Sequence, residues 1–127
     1  MCSSDLETSE TYRSYEHTTA LPTDKMLWCR RHYLPDASEW SNPWISPLLA
    51  NEEMFAQLPP ALVVVAGFDV LRWEGEEYAR RLNKAGVHIA VKVVEGVPHP
   101  FIVMARCCKR GKMGLDLFVI GLMVLLP

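Results

Sequence analysis

Residues 61–66, ALVVVA, form an unbroken apolar run rich in valine. A strand covered on both faces reads this way, as in a parallel sheet. Gly67 and Phe68 break the run, and the period then changes. Tyr78, Ala79, Leu82 and Ala85 share one face at helical spacing, which predicts a helix from about Trp73 to Ala85. Its charges are sorted, with Glu74, Glu76 and Glu77 early and Arg80, Arg81 and Lys84 late, as the helix dipole favours. Glu76–Arg80 and Glu77–Arg81 have the i,i+4 spacing of ion pairs, and Gly86 stands where a C-terminal cap belongs. Residues 87–94, VHIAVKVV, alternate. Val87, Ile89, Val91 and Val93 point one way; His88, Ala90, Lys92 and Val94 point to a less buried face near a sheet edge. Strand, helix and strand in this order predict a βαβ unit with parallel strands and a right-handed crossover.

The flanks are less regular. LPTDKMLWCRRHYLP (21–35) predicts a helix capped by Thr23 or Asp24 and stopped by Pro35. PDASEWSNPWISP (35–47) reads as loop, and LLANEEMFAQLPP (48–60) as a short helix ending before Pro59. Residues 1–20 are rich in Ser, Thr and Glu and are expected to be extended or loosely ordered, which leaves 21–127 as one partial domain. A last helix is expected from about Phe101, with Gly111 and Gly114 as points of interruption. Its apolar end, GLDLFVIGLMVLLP (114–127), contains Asp116 and is shorter than the ~20 residues of a membrane span. A buried core helix is the first expectation there, and an exposed apolar end the second.

Composition narrows the partners. At 127 residues the chain suits one domain, and a net charge of −2 offers no footprint for nucleic acid or an anionic membrane. The start, MCSSDLETSE, is too polar for a signal peptide, and a cytoplasmic location is expected. Cys2, Cys29, Cys107 and Cys108 form no C-x-x-C and are expected as reduced, partly buried thiols. A metal site from His88, His99, Cys107 and Cys108 matches no zinc spacing, and no cofactor motif is present. The four tryptophans, Trp28, Trp40, Trp44 and Trp73, read as packing or loop anchors. CKRGK (108–112) reads as a solvated turn.

The candidate chemistry lies at the ends of the two strands. In an open parallel sheet, functional residues gather outside the carboxyl ends of the strands. Asp69 follows the first strand and His99 follows the second, in EGVPHPF (95–101), between Pro98 and Pro100. Neighbouring strands bring two such loops within ~4.8 Å at their start. An aspartate there can accept the imidazole N–H and leave the other ring nitrogen as a general base. Taken alone, Asp69 can equally be a helix cap and His99 a surface loop residue.

SPLLA (46–50), LPPALVVVAGFDVLRWEGEEYARRLNKAGV (58–87) and VVEGVPHPF (93–101) together resemble the C-terminal part of the hormone-sensitive-lipase-like branch of the α/β-hydrolase family. The resemblance runs from about Leu21 to Met104. It implies an α/β fold, a C-terminal fragment of an α/β-hydrolase, in which the two strands are the last two of the sheet. It also implies carboxylic-ester hydrolysis, with Asp69 as triad acid and His99 as triad base. Val70, Trp73 and Pro100 depart from the family's D-P-L-R-D-E-G and H-G-F motifs.

The third triad member does not appear. Chain order in this family is nucleophile, acid, histidine. The serines before Asp69 are at positions 3, 4, 9, 14, 38, 41 and 46, and no glycine precedes Gly67, so there is neither G-x-S-x-G nor a glycine-rich oxyanion loop. Cys29 lies in a helical pattern and is no substitute. The expectation is a piece of an esterase or lipase that is inactive alone, with an unpaired sheet edge open to self-association. The competing expectation is a non-enzymatic remnant or interaction module derived from a hydrolase.

Overall fold

The structure, a computed structural model, describes residues 10–125. Its centre is a two-stranded parallel sheet of β1 (Ala61–Phe68) and β2 (Ile89–Pro98), joined by the crossover helix α4 (Arg72–Lys84). Before the sheet come three helices, α1 (Glu10–Ser14), α2 (Thr23–Tyr33) and α3 (Glu52–Ala56). After it come a 3-10 turn (Phe101–Met104) and α5 (Lys109–Leu125).

The pleat of β1 sorts its side chains between two layers. On one face Ala61 packs with Phe55, Leu82, Val87 and Ile89, and Val65 meets the helix at Gly75, where an added Cβ would come within 3.0 Å of its methyl. On the other face Val64 and Ala66 pack with Val94, Val97, Phe101 and Leu117. The sheet is thus sandwiched between α4 on one side and the 3-10 turn with α5 on the other. Burial is complete only toward the carboxyl end of β1; Ala61–Val64 are half-buried, so the two-sided cover expected of this strand is partial.

Helix α4 follows its amphipathic pattern. Ala79 and Leu82 are fully buried. The helix ends in a Schellman motif: Val87 N–H donates to the Leu82 carbonyl (3.0 Å) and Gly86 N–H to that of Asn83 (3.1 Å), with Gly86 at φ +82°. Of the two expected ion pairs, Glu77–Arg81 forms at 2.8 Å. Glu76–Arg80 does not: Glu76 pairs with Arg72 at 2.9 Å, and Arg80 reaches back to Glu77 at 2.6 Å.

Elsewhere the structure revises the expectations. β2 runs to Pro98 rather than stopping at Val94. Its first part, Ala90–Lys92, is exposed on both faces, whereas Val93 is half-buried and Val94 buried. Residues 10–14 are a helix, not an extended segment, since burial of Tyr12 against Val70 anchors them. The proposed loose order of residues 1–9, and Cys2, lie outside the described residues. α2 starts after Pro22 with no side-chain cap from Thr23 or Asp24. Part of the 35–47 loop is a 3-10 turn, Ala37–Ser41, capped by Asp36. Cys29 and Cys107 are exposed rather than partly buried, because none of the described residues covers the outer side of α2 or the turn before α5. Trp40 anchors its loop by donating to the Leu34 carbonyl (2.9 Å) beneath the Arg30 guanidinium, whereas Trp28 and Trp44 stand in solvent.

The C-terminal helix differs most. Residues 101–104 are 3-10, and the α-helix begins only at Lys109. Gly111 and Gly114 do not interrupt it; they are buried because Phe101 lies against them, and a Cβ at Gly114 would fall 2.1 Å from its ring. Gly121 meets Leu62 in the same way. The opposite side of α5 carries Met113, Leu115, Val119, Ile120, Leu122, Met123 and Val124, all exposed. The first expectation, a buried core helix, fails: a helix apolar all round can bury only the stripe that meets a neighbour. Among the described residues no helix is long and apolar enough to cross a membrane.

Candidate functional site

Register carries Asp69 to His99. Ala61 pairs with Ile89 and Ala66 with Val94, so partners along the first part of the sheet are 28 positions apart. Phe68 pairs with Pro98, a separation of 30. Between those pairs β2 holds two residues more than β1, a bulge over Glu95–Val97. Without it, Val97 would stand across from Asp69; with it, His99 does. Glycine makes the bulge possible at two points. Gly96 has φ +72°, and a Cβ on Gly67 would come within 2.9 Å of Glu95 Cα.

The two side chains meet. His99 Nδ1 lies 2.7 Å from Asp69 Oδ2. A carboxylate can only accept, so Nδ1 carries the proton and donates. Asp69 is buried, and its second oxygen, Oδ1, accepts the Leu71 backbone N–H at 3.0 Å. The capping alternative is therefore partly realised, since one oxygen shapes the turn into α4 while the other holds the imidazole. The hydrogen bond to Asp69 raises the His99 pKa above its ordinary value, against the opposing effect of partial burial. About half of the His99 side chain, 46%, remains exposed. Nε2 makes no hydrogen bond among the described residues, so a neutral His99 presents there a lone pair that can take a proton.

The floor of the site is apolar. Phe101 is buried among Ala66, Val94 and Val97, beneath the histidine loop. Val70 is fully buried against Tyr12, and its carbonyl accepts the Thr11 hydroxyl at 2.9 Å. Pro100 sits at φ −87°, at the edge of the range its ring allows, and leads into the 3-10 turn. Two of the three departures from the family motifs, Val70 and Pro100, are thus accommodated with the Asp69–His99 contact in place.

Sequence reasoning missed two residues here. Arg72 donates through Nε to Glu76 (2.9 Å) and through Nη1 to the Gly67 carbonyl (3.3 Å). Glu74, read only as an early acid suited to the helix dipole, is desolvated beside Tyr12, and burial pushes its pKa up to about 7. The glycines at 67 and 96 were the available signal for the bulge; no pattern flagged Glu74. Among the described residues no group of three or more His, Cys, Asp or Glu side chains gathers as metal ligands, so His88, His99, Cys107 and Cys108 do not come together.

A family model described as alpha/beta hydrolase fold matches residues 2–103. The chain belongs to that family. Its hydrolase relatives include an AB hydrolase superfamily protein of Schizosaccharomyces pombe, 41% identical over 84% of this chain and 31% of the relative. Human hormone-sensitive lipase is 36% identical over 61% of this chain and 7% of its own length. The carboxylic ester hydrolase LipN of Mycobacterium tuberculosis is 42% identical over 59% of this chain and 20% of its own. Among solved structures, the thermophilic carboxylesterase EstE1, cloned from a metagenomic library, superposes with a TM-score of 0.86 at 34% identity, over 94% of this chain and 40% of that one. A thermostable esterase from Pseudomonas putida gives 0.83 at 35% identity, over 94% and 38%. The family is of the esterase and lipase type, and this chain spans less than a third of the length of each curated relative named here.

Proposed function

We propose that Asp69 and His99 are the acid and base of a Ser–Asp–His triad acting on carboxylic esters, with the serine supplied from outside these 127 residues. The observation that carries the reading is the 2.7 Å Nδ1–Oδ2 contact at the shared rim of two parallel strands. In the mechanism, Nε2 takes the proton of the serine hydroxyl as the oxygen attacks the acyl carbon. It then returns the proton to the departing alkoxide, and water repeats the cycle on the acyl-enzyme. Asp69 keeps Nδ1 protonated and stabilises the imidazolium. The substrate is a small-molecule ester.

The chain alone turns over no ester above background, because it contains no G-x-S-x-G and no glycine-rich oxyanion loop. Purified chain assayed on a short-chain aryl ester tests this, and turnover abolished by His99→Ala would overturn it. A chimera with the nucleophile-bearing part of a carboxylesterase relative tests the triad itself. It should hydrolyse the same ester and lose roughly 10³-fold or more on His99→Ala. A folded chimera indifferent to that change removes His99 from the mechanism. The same lack of any glycine before Gly67 favours a second reading, a hydrolase-derived interaction module with no activity in any context. A folded but inert chimera is its signature.

A further inference from the structure

We infer that Arg72 is a positioning residue that sets the Asp69–His99 geometry by tying both loops to one guanidinium. The inference deepens the triad reading and rests on it. Arg72 stands three positions after Asp69, at the start of α4, and its backbone N–H donates to the Asp69 carbonyl at 3.1 Å. Its side chain joins three elements. Nη1 donates to the Gly67 carbonyl at the end of β1 (3.3 Å) and lies 3.4 Å from Glu95 Oε1, in the bulge of β2. Nε donates to Glu76 Oε1 one turn along α4 (2.9 Å). Gly67 is two residues before Asp69, and Glu95 belongs to the excess residues that bring His99 across from it.

The arrangement solves a specific problem. A bulge breaks the ladder where the two functional loops leave the sheet, so backbone pairing alone does not hold them in register there. A lysine supplies one charge on a flexible stem; the planar arginine fork supplies several donors at fixed angles. Arg72 is only 26% exposed on its side chain, which limits its alternatives, whereas Glu95 at 68% is its weakest partner. The Gly67 carbonyl and Glu76 therefore fix the guanidinium, and Glu95 is drawn to it.

The test is the titration of the His99 ring, followed by NMR in the 127-residue chain and its variants Arg72→Ala, Arg72→Lys and Asp69→Asn. Deleting a nearby cation should by itself raise an imidazole pKa. Loss of positioning weakens the hydrogen bond to Asp69 and lowers it. We expect Arg72→Ala to lower the His99 midpoint by roughly half a pH unit or more, and Arg72→Lys, which keeps the charge, to lower it less. An unchanged or raised midpoint in both variants overturns the inference, whatever their stability. If Arg72→Ala does not fold, Arg72→Lys decides: a lower midpoint supports the role and an unchanged one overturns it. Asp69→Asn separates the two readings. If it leaves the midpoint where it was, the Asp69–His99 pair itself fails and both readings fall. If it lowers the midpoint while the Arg72 variants do not, the positioning role alone falls.

Discussion

The crossover unit β1–α4–β2 and the C-terminal helix α5 bury their apolar residues differently: α5 is the more apolar of the two helices, yet it leaves more of its large side chains in water. In α4 the apolar residues keep to one face, most of the charges keep to the other, and the buried face meets β1 and α3. In α5 apolar residues surround the helix, three glycines form the packing stripe, and most of the large side chains point to water. The difference teaches that hydrophobic content does not predict burial. A segment is buried as far as its period matches a surface on offer. The unmatched side of α5 and the open edges of the sheet are where self-association would be expected.

The sharpest way to break this comparison is to truncate one leucine in each region. Leu82 is 1% exposed between Phe55 and Val87, so Leu82→Ala leaves a cavity and should cost about 3 kcal/mol. Leu122 is 58% exposed, and Leu122→Ala should stay within about 0.5 kcal/mol. Urea denaturation of both variants measures the contrast. Similar losses would mean that α5 is covered in solution.

What the sequence made legible follows the same division. The unit from 61 to 99 was readable because its period changes from continuous to helical to alternating, and because Asp69 and His99 fall just outside the strand ends. Three features were not readable, each for a reason. The bulge over Glu95–Val97 is a register property, which needs both strands to define it. The helix at 10–14 depends on Tyr12 finding Val70, a contact across nearly half of the chain that no local pattern encodes. The exposure of α5 depends on what neighbours exist, and apolar composition alone reads as core.

Glu74 sharpens the comparison from within the ordered region, since it breaks the rule that charges in α4 face solvent. Burial raises its pKa from 4.5 to about 7. The folded chain therefore holds a proton there that the unfolded chain has released. Stability should fall as pH rises from about 4.5 to about 7, and stay reduced above. Glu74→Gln should remove that slope and gain roughly 2 kcal/mol at pH 8 after allowance for partial exposure, with little change near pH 4. Glu77, in the same helix, has the opposite sign. Hydrogen bonding to Arg80 and Arg81 lowers its pKa to about 2, so its contribution is lost as pH falls below about 4.5. Denaturation of wild type and the Glu74→Gln variant at several pH values separates the two.

The end of α4 supplies a smaller effect. Gly86 takes φ +82° with open space around its Cα, so Gly86→Ala tests backbone strain without a clash. The Schellman hydrogen bonds hold that conformation, and the expected loss is about 1 kcal/mol by thermal or urea melting. No loss would mean that the cap loosens freely, and that the boundary between α4 and β2 is less tightly set than the interior of the unit.

The smallest expected effect concerns two neighbouring arginines that share one acid. Arg80 and Arg81 both bind Glu77, at 2.6 and 2.8 Å, but their side chains are 62% and 31% exposed. Arg81 also donates to the Leu48 carbonyl, joining α4 to the loop that precedes α3. Arg80→Ala removes an exposed pair while Glu77 keeps Arg81, so stability should barely change, and less still at high salt. Arg81→Ala also strips a donor from a loop carbonyl and should cost more, about 1 kcal/mol. If the two variants melt alike, the ordered region is held by its core alone, and the polar face of α4 is as dispensable as the bare side of α5.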